Sequence, residues 1–407
     1  MKHGFSLLNF IKVVLLLAFM LLCAMSYHPY VYSVSSELAN SGEAIVSPFI
    51  TYIMLILLLL ILLSCIKAEI PIINKVLLKY VYIVVLVLIF SLLIYGISPQ
   101  KSVTGDLKAI FTCMGAFFVG WRLILDEKIV KRLLFYYGAL VCFVGLLQII
   151  VNIGGFVILA TYETNGKNAL GAMLAVSTVL FVGIANSSSG SRFERIVALV
   201  MGGLSLVELL TIRARLATIS AIVVAFLVYY FSHKNKKKRS SSYILILMVL
   251  VITVLILPNY VYDYVYYSFL LNKEDDITAG RTAINLNALL IVIEDPLVAN
   301  LYNTHWNIKV HNWLLKRLYE YGMLLSIPLL VLYIKMFLSL CKKLFKPYSD
   351  SFQVIGYAMV LALFVISFGE PSMPFSPGTA MTTAYFFWGY SYQRLSYNKN
   401  CNIYVNS

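Results

Sequence analysis

Apolar residues run along this chain in long blocks separated by short polar segments. The blocks fall at 6–27, 47–66, 76–97, 107–125, 133–153, 168–186, 196–212, 214–232, 243–260, 312–340, 351–368 and 379–395. Crossing a bilayer takes roughly 20 predominantly apolar residues in a helix, so the pattern predicts twelve membrane-spanning helices. The fourth block carries Arg122 near one end, and only a short turn at Arg213 and Arg215 separates the seventh from the eighth. A long polar gap, 261–310, lies between the ninth and tenth. Within it Thr278 is a candidate helix cap and Pro296 a stop, which predicts one short, largely apolar helix over 280–294. The expected fold is an all-α polytopic membrane protein, a single integral domain over residues 1–407.

Composition narrows the class. The chain is 61% hydrophobic and 12% charged, whereas soluble domains run near roughly 25% charged. Almost nothing is left for a water-soluble domain, which excludes a globular enzyme. It also excludes a nucleic-acid binder, despite the formal net charge of +14. Of the 32 Lys and Arg residues, 18 occupy Lys2, the tail from Arg394 and alternate gaps between blocks, such as Lys128–Arg132, Lys234–Arg239 and Lys342–Lys346. The positive-inside rule puts those segments in the cytoplasm. Both termini are then in the cytoplasm, as in an inner-membrane-type protein, and 261–310 lies outside. KNKKKR (234–239) reads as a solvated stop-transfer run. Lys2 precedes an apolar run without a clear small-residue cleavage site, so the first block is expected to remain as a span. The cysteines have neither metal spacing nor a disulfide framework.

Cations on the outer side run against the insertion bias and are therefore informative. Arg213 and Arg215 stand at the outer turn after Glu208, an acid within an apolar block. An ionisable residue at membrane depth is a functional candidate; pairing of Glu208 with one of the arginines is the structural alternative. NYVYDYVYYSFL (259–270) reads as an interfacial tyrosine belt or a sugar-stacking surface. Arg281 falls in the first turn of the short helix, where backbone N–H groups already favour an anion. An arginine there makes sense if a ligand's negative charge is held beside it. Lys309 and His311 lie just before the tenth block, and His311 can accept a proton where an arginine cannot. His305 reads as an ordinary loop residue.

Four segments together resemble the O-antigen polymerase and ligase superfamily, of Wzy type. HNWLLKRLYEYGMLL (311–325) is similar to its histidine–asparagine signature followed by an acid-x-glycine, here His311, Asn312, Glu320 and Gly322. GRTAINLNALLIVIEDPL (280–297) resembles the arginine helix that precedes that signature, with Val298 and Ala299 where a glycine usually follows the proline. TIRARLATISA (211–221) resembles the threonine/serine–arginine turn, with the threonine favouring Arg213 and the small-residue spacing favouring Arg215. TNGKNALGAML (164–174) resembles an earlier asparagine-led span and makes Asn168 a candidate.

The resemblance implies metal-independent glycosyl transfer at the outer face, with no cofactor. The donor would be an undecaprenyl-pyrophosphate-linked oligosaccharide, drawn from among membrane lipids. Arg281 with Arg213 or Arg215 would neutralise the leaving pyrophosphate, and His311 would be the general base. Asn312, Lys309, Glu320 and Asn168 would bind substrate. A polymerase adds a second lipid-linked repeat unit, whereas a ligase uses the lipid A core; TNGKNALG favours the polymerase. Chain-length regulator and flippase proteins are the implied partners, and nucleic acid is not. A transporter or flippase is the rival class, but it should carry paired charges at mid-membrane, whereas these cations cluster at one rim.

Overall fold

The computed structural model describes residues 7–31, 48–65, 75–98, 103–152, 167–188, 190–212, 214–233, 281–302, 305, 308–346, 350–376 and 378–405. Among them are twelve α-helices and no strand. They are α1 (Leu7–Met25), α2 (Pro48–Ser64), α3 (Lys75–Ile97), α4 (Val103–Arg122), α5 (Glu127–Val151) and α6 (Lys167–Ala185). Then follow α7 (Arg192–Thr211), α8 (Arg215–His233), α9 (Arg281–Glu294), α10 (Trp313–Leu344), α11 (Ile355–Ile366) and α12 (Thr379–Val405). Eleven of them coincide with apolar blocks, and α9 is the short helix expected between Thr278 and Pro296. The block 243–260, the tyrosine stretch, Thr278 and Arg213 lie outside the described residues. Among the described residues five helices are long and apolar enough to cross a membrane: Leu7–Met25, Glu127–Val151, Asn168–Ala185, Arg215–Ser232 and Trp313–Leu344.

The core is built where small side chains let helices touch. A Cβ on Gly120 of α4 would collide with the Phe386 carbonyl of α12, and one on Gly389 of α12 would collide with the Phe117 carbonyl of α4. The two backbones therefore cross in contact, the close approach that small residues permit between apolar helices. Helix α6 lies at the centre, with 89% of Asn168–Ala185 buried. Every residue of α11 except Val365 is buried as well. By contrast, α1, α7 and α8 keep large apolar side chains on the outside, among them Leu7, Val200 and Phe226.

Successive helices run up and down, so their ends gather at two opposite faces. At one face Lys131 donates to Ser187 at 3.3 Å, Ser188 to Asp350 at 2.9 Å, and Arg394 to the Leu125 carbonyl. Phe231 near the end of α8 meets Phe345 beside Lys342 and Lys343 there, with ring centroids 5.8 Å apart. This face holds Lys131, Arg195, Lys342, Lys343 and Arg394. At the other face Ser26 bonds Thr379 at 2.8 Å, Gln148 the Tyr27 carbonyl at 2.6 Å, and Ser98 the Leu301 carbonyl at 2.8 Å. Helix α9 and the start of α10 belong to this second face.

One element departs from the block pattern. The block 312–340 predicts a single helix, but the backbone of α10 breaks at Gly322, with φ 70° and ψ 171°. The left-handed region is open to glycine at little cost, and a Cβ there would strike the Leu297 carbonyl. Met323 donates to the Pro296 carbonyl at 2.7 Å. The segment following α9 is thus lodged in the break, and Trp313–Tyr321 becomes a separate starting segment of α10.

Candidate active site

Helix α9 is organised by one stripe. Arg281, Asn285, Ala288 and Val292 recur at helical spacing, on one face. The C-terminal half of the stripe is apolar. Ala288 and Val292 are buried in a cluster with Ala299, Val310 and Tyr319, which docks α9 on the starting segment of α10. The N-terminal half is polar. The Asn285 side-chain oxygen accepts from the His311 backbone N–H at 3.1 Å, and Arg281 reaches the loop between α11 and α12. Burial of a Val-sized side chain contributes about 1.5–3 kcal/mol, more than a partly exposed ion pair at about 0–1 kcal/mol. The apolar half therefore holds the helix, and the polar half is free to orient chemistry.

Arg281 donates through Nη1 to the Gly369 carbonyl at 3.1 Å and lies 3.4 Å from Glu370 Oε1. The same Oε1 accepts from Asn168 Nδ2, near the start of α6, at 2.8 Å. Two segments distant in sequence thus converge on Gly369–Glu370, and both deliver residues expected at a site. The negative charge beside Arg281 in the structure is a carboxylate of the protein itself, where a ligand's charge was expected. Glu370 is the residue that sequence reasoning missed. A signal existed: between Asp350 and Arg394 it is the only charged residue, set between Gly369 and Pro371.

His311 precedes α10 on the same face. Asn312 caps the helix, its side chain accepting from the Leu315 N–H at 3.0 Å and donating to the Phe368 carbonyl at 3.1 Å. Trp313 donates to the Ser367 carbonyl at 3.1 Å. These bonds seat His311 next to the loop that carries Glu370. Burial lowers the imidazole pKa from its usual 6.5, and the cations of Arg281 and Lys309 push it the same way. His305 is exposed, and its N–H donates to Asn300 Oδ1 at 2.9 Å.

Arg215 opens α8 at this face. Its neighbour Leu216 reaches Gly369, and Ala214 and Ala217 abut Gly171 of α6, one turn beyond Asn168. Among the described residues Glu208 makes no ion pair: it is 2% exposed, and neither carboxylate oxygen has a hydrogen-bond partner there. It lies against α5, where a Cβ on Gly145 would come within 2.6 Å of Oε2.

Glu320 belongs to a different group. Its carboxylate is 2.6 Å from Arg317 and 3.8 Å from Lys316. Arg317 also binds Asp106 of α4 at 2.5 Å, and Tyr321 donates to the same Asp106 at 2.7 Å. This network ties the starting segment of α10 to α4. Ala299, at φ 46°, is in the left-handed region, where an L residue costs roughly 1–2 kcal/mol. It follows Pro296 where a glycine was expected, so the backbone turn is kept without that residue.

Among the described residues no three His, Cys, Asp or Glu side chains group closely enough to hold a metal ion. The chain matches no protein-family model and no curated protein.

Proposed function

We propose that this chain is an integral membrane glycosyltransferase that polymerises undecaprenyl-pyrophosphate-linked oligosaccharide units at the outer face of a bacterial inner membrane. The observation that carries the reading is the convergence of Asn168, Arg281 and the His311 segment at the face opposite the basic ends. Arg281 uses only Nη1 within the described protein contacts, so its Nε and Nη2 donors form an open fork for a phosphate. Such bidentate, charge-assisted bonds strengthen as the pyrophosphate departs and its charge develops. His311, kept neutral beside these cations, accepts the proton of the attacking sugar hydroxyl. The new glycosidic bond forms as the bond to the pyrophosphate breaks. Arg215, with Arg213 two positions before it in the sequence, supplies further positive charge. Leu286, Leu289, Leu290 and Ile293 form an exposed apolar face on α9, which suits a helix resting on a bilayer surface beside a lipid-linked donor.

The glycan pattern of a deletion strain tests the reading. Loss of a polymerase leaves single repeat units on the surface. Missing surface polymer with accumulated lipid-linked chains points instead to transfer onto the lipid A core, and an unchanged pattern removes both.

The proposal includes twelve spans with both termini in the cytoplasm and 261–310 outside. Its support is that α8 ends among the basic segments whereas α9 begins at the opposite face. A reporter fused at residue 290 is expected to behave as extracytoplasmic; cytoplasmic behaviour would displace the proposed site along with the topology.

A further inference from the structure

We infer that Glu370 is a positioning residue for the pyrophosphate grip: it holds Arg281 and Asn168 so that the outer edge of the guanidinium faces the ligand. The inference deepens the glycosyltransferase reading and rests on its donor.

The argument begins with which guanidinium atoms are committed. Nη1 bonds both the Gly369 carbonyl and Glu370 Oε1. Nε and Nη2, whose N–H groups lie parallel along one edge of the plane, make no hydrogen bond among the described residues. That edge is the one that meets a phosphate side-on in two parallel bonds. Binding Nη1 from behind therefore orients the fork without consuming it. An arginine on the first turn of α9, with its side chain 34% exposed, has many rotamers, and two fixed acceptors remove most of them.

Asn168 is set by the same oxygen. Its Nδ2 donates to Oε1 at 2.8 Å, which leaves its carbonyl oxygen to accept a sugar hydroxyl. The Glu370 side chain is 12% exposed, much less than that of Arg281. The acid thus sits behind the arginine rather than in the solvent-facing position a ligand would take. Gly369 permits this arrangement, because Leu216 occupies the space a Cβ would need.

A carboxylate that merely competed with the ligand would have the opposite effect to one that orients its receptor. Removing a competing anion tightens phosphate binding, whereas removing a positioning one loosens it. The sign of the change therefore discriminates.

The experiment measures binding of undecaprenyl pyrophosphate, with undecaprenol as the control lacking phosphate, to the purified full-length protein in detergent. The variants are R281A, E370A, E370Q and the double variant R281A/E370A. Coupled neighbours deviate from additivity by amounts corresponding to roughly twofold to a hundredfold. E370A is expected to weaken pyrophosphate binding about tenfold or more in the wild-type background, and by less than about threefold once Arg281 is gone. E370Q retains an oxygen for both donors and should fall between wild type and E370A. If E370A does not purify as a folded protein, the same comparison with E370Q and R281A/E370Q decides. Tighter binding in either Glu370 variant, no change, or losses that multiply with R281A would each overturn the positioning role while leaving the donor assignment intact. A wild-type protein that does not prefer the pyrophosphate over undecaprenol removes the donor reading and this inference with it.

Discussion

His311→Ala is expected to abolish chain extension while binding of the lipid-linked donor survives through the arginines. The loss of a positioned general base removes about 10²–10⁴-fold of rate, enough to erase a visible polymer ladder. Neighbours limit what the imidazole can do. Burial and the nearby charges of Arg281 and Lys309 disfavour imidazolium, so the neutral, proton-accepting form prevails at lower pH than for a free histidine. The sign follows directly. Activity rises with pH as the imidazole loses its proton, and the midpoint of the acid limb should lie below the usual 6.5. His311→Gln discriminates between roles, because glutamine replaces a hydrogen bond but not basicity. Normal-length polymer from His311→Gln cells would reduce His311 to a hydrogen-bonding residue. The carboxylate of Glu320 would be a poor replacement, since Arg317 and Lys316 already engage it.

Arg281→Lys should be nearly as damaging, although it preserves the charge. Lysine offers a point charge on a flexible stem and no planar fork. One ammonium cannot bond the Gly369 carbonyl and Glu370 from behind while presenting two parallel donors in front. Removal of a donor aimed at developing transition-state charge typically costs about 10²–10³-fold, and that is the expected drop in polymerisation rate. Stability should hardly change, because an ion pair this exposed contributes only about 0–1 kcal/mol and α9 is docked by Ala288 and Val292. Rate measurements alongside thermal unfolding separate the two effects. A large loss of Tm in Arg281→Lys would make the residue a structural tie, and wild-type polymer from Arg281→Ala would remove it from the site.

The helices were legible in the sequence for a local reason. A segment surrounded by lipid must satisfy its own backbone and present apolar side chains all round, so the requirement is written into each block of twenty residues. The span of α9 was legible likewise, because Pro296 ends a helix wherever the surrounding structure places it. Arg281 and His311 could be picked out because a cation that runs against the insertion bias and a histidine at a helix start each stand out against the residues beside them, whereas Asn168 came only with the family resemblance of TNGKNALGAML.

The break in α10 was not legible. Gly322 looks like one more small residue in a hydrophobic run, and its cause, the Leu297 carbonyl, arrives from another segment. Glu320 reads as a site residue, and no pattern announces that Arg317, which engages it, also binds Asp106 from 211 positions away. Glu370 carried a sequence signal of its own, but no pattern announces that Asn168, 202 positions earlier, and Arg281, 89 positions earlier, share one of its oxygens. Sequence alone determined which residues are costly in a membrane and so have to be explained, because solvation acts on each residue where it stands. Which of those residues meet was decided only by the tertiary structure, because hydrogen bonds and ion pairs act over about 3–4 Å and depend on contacts made by the packing of helices far apart in the chain.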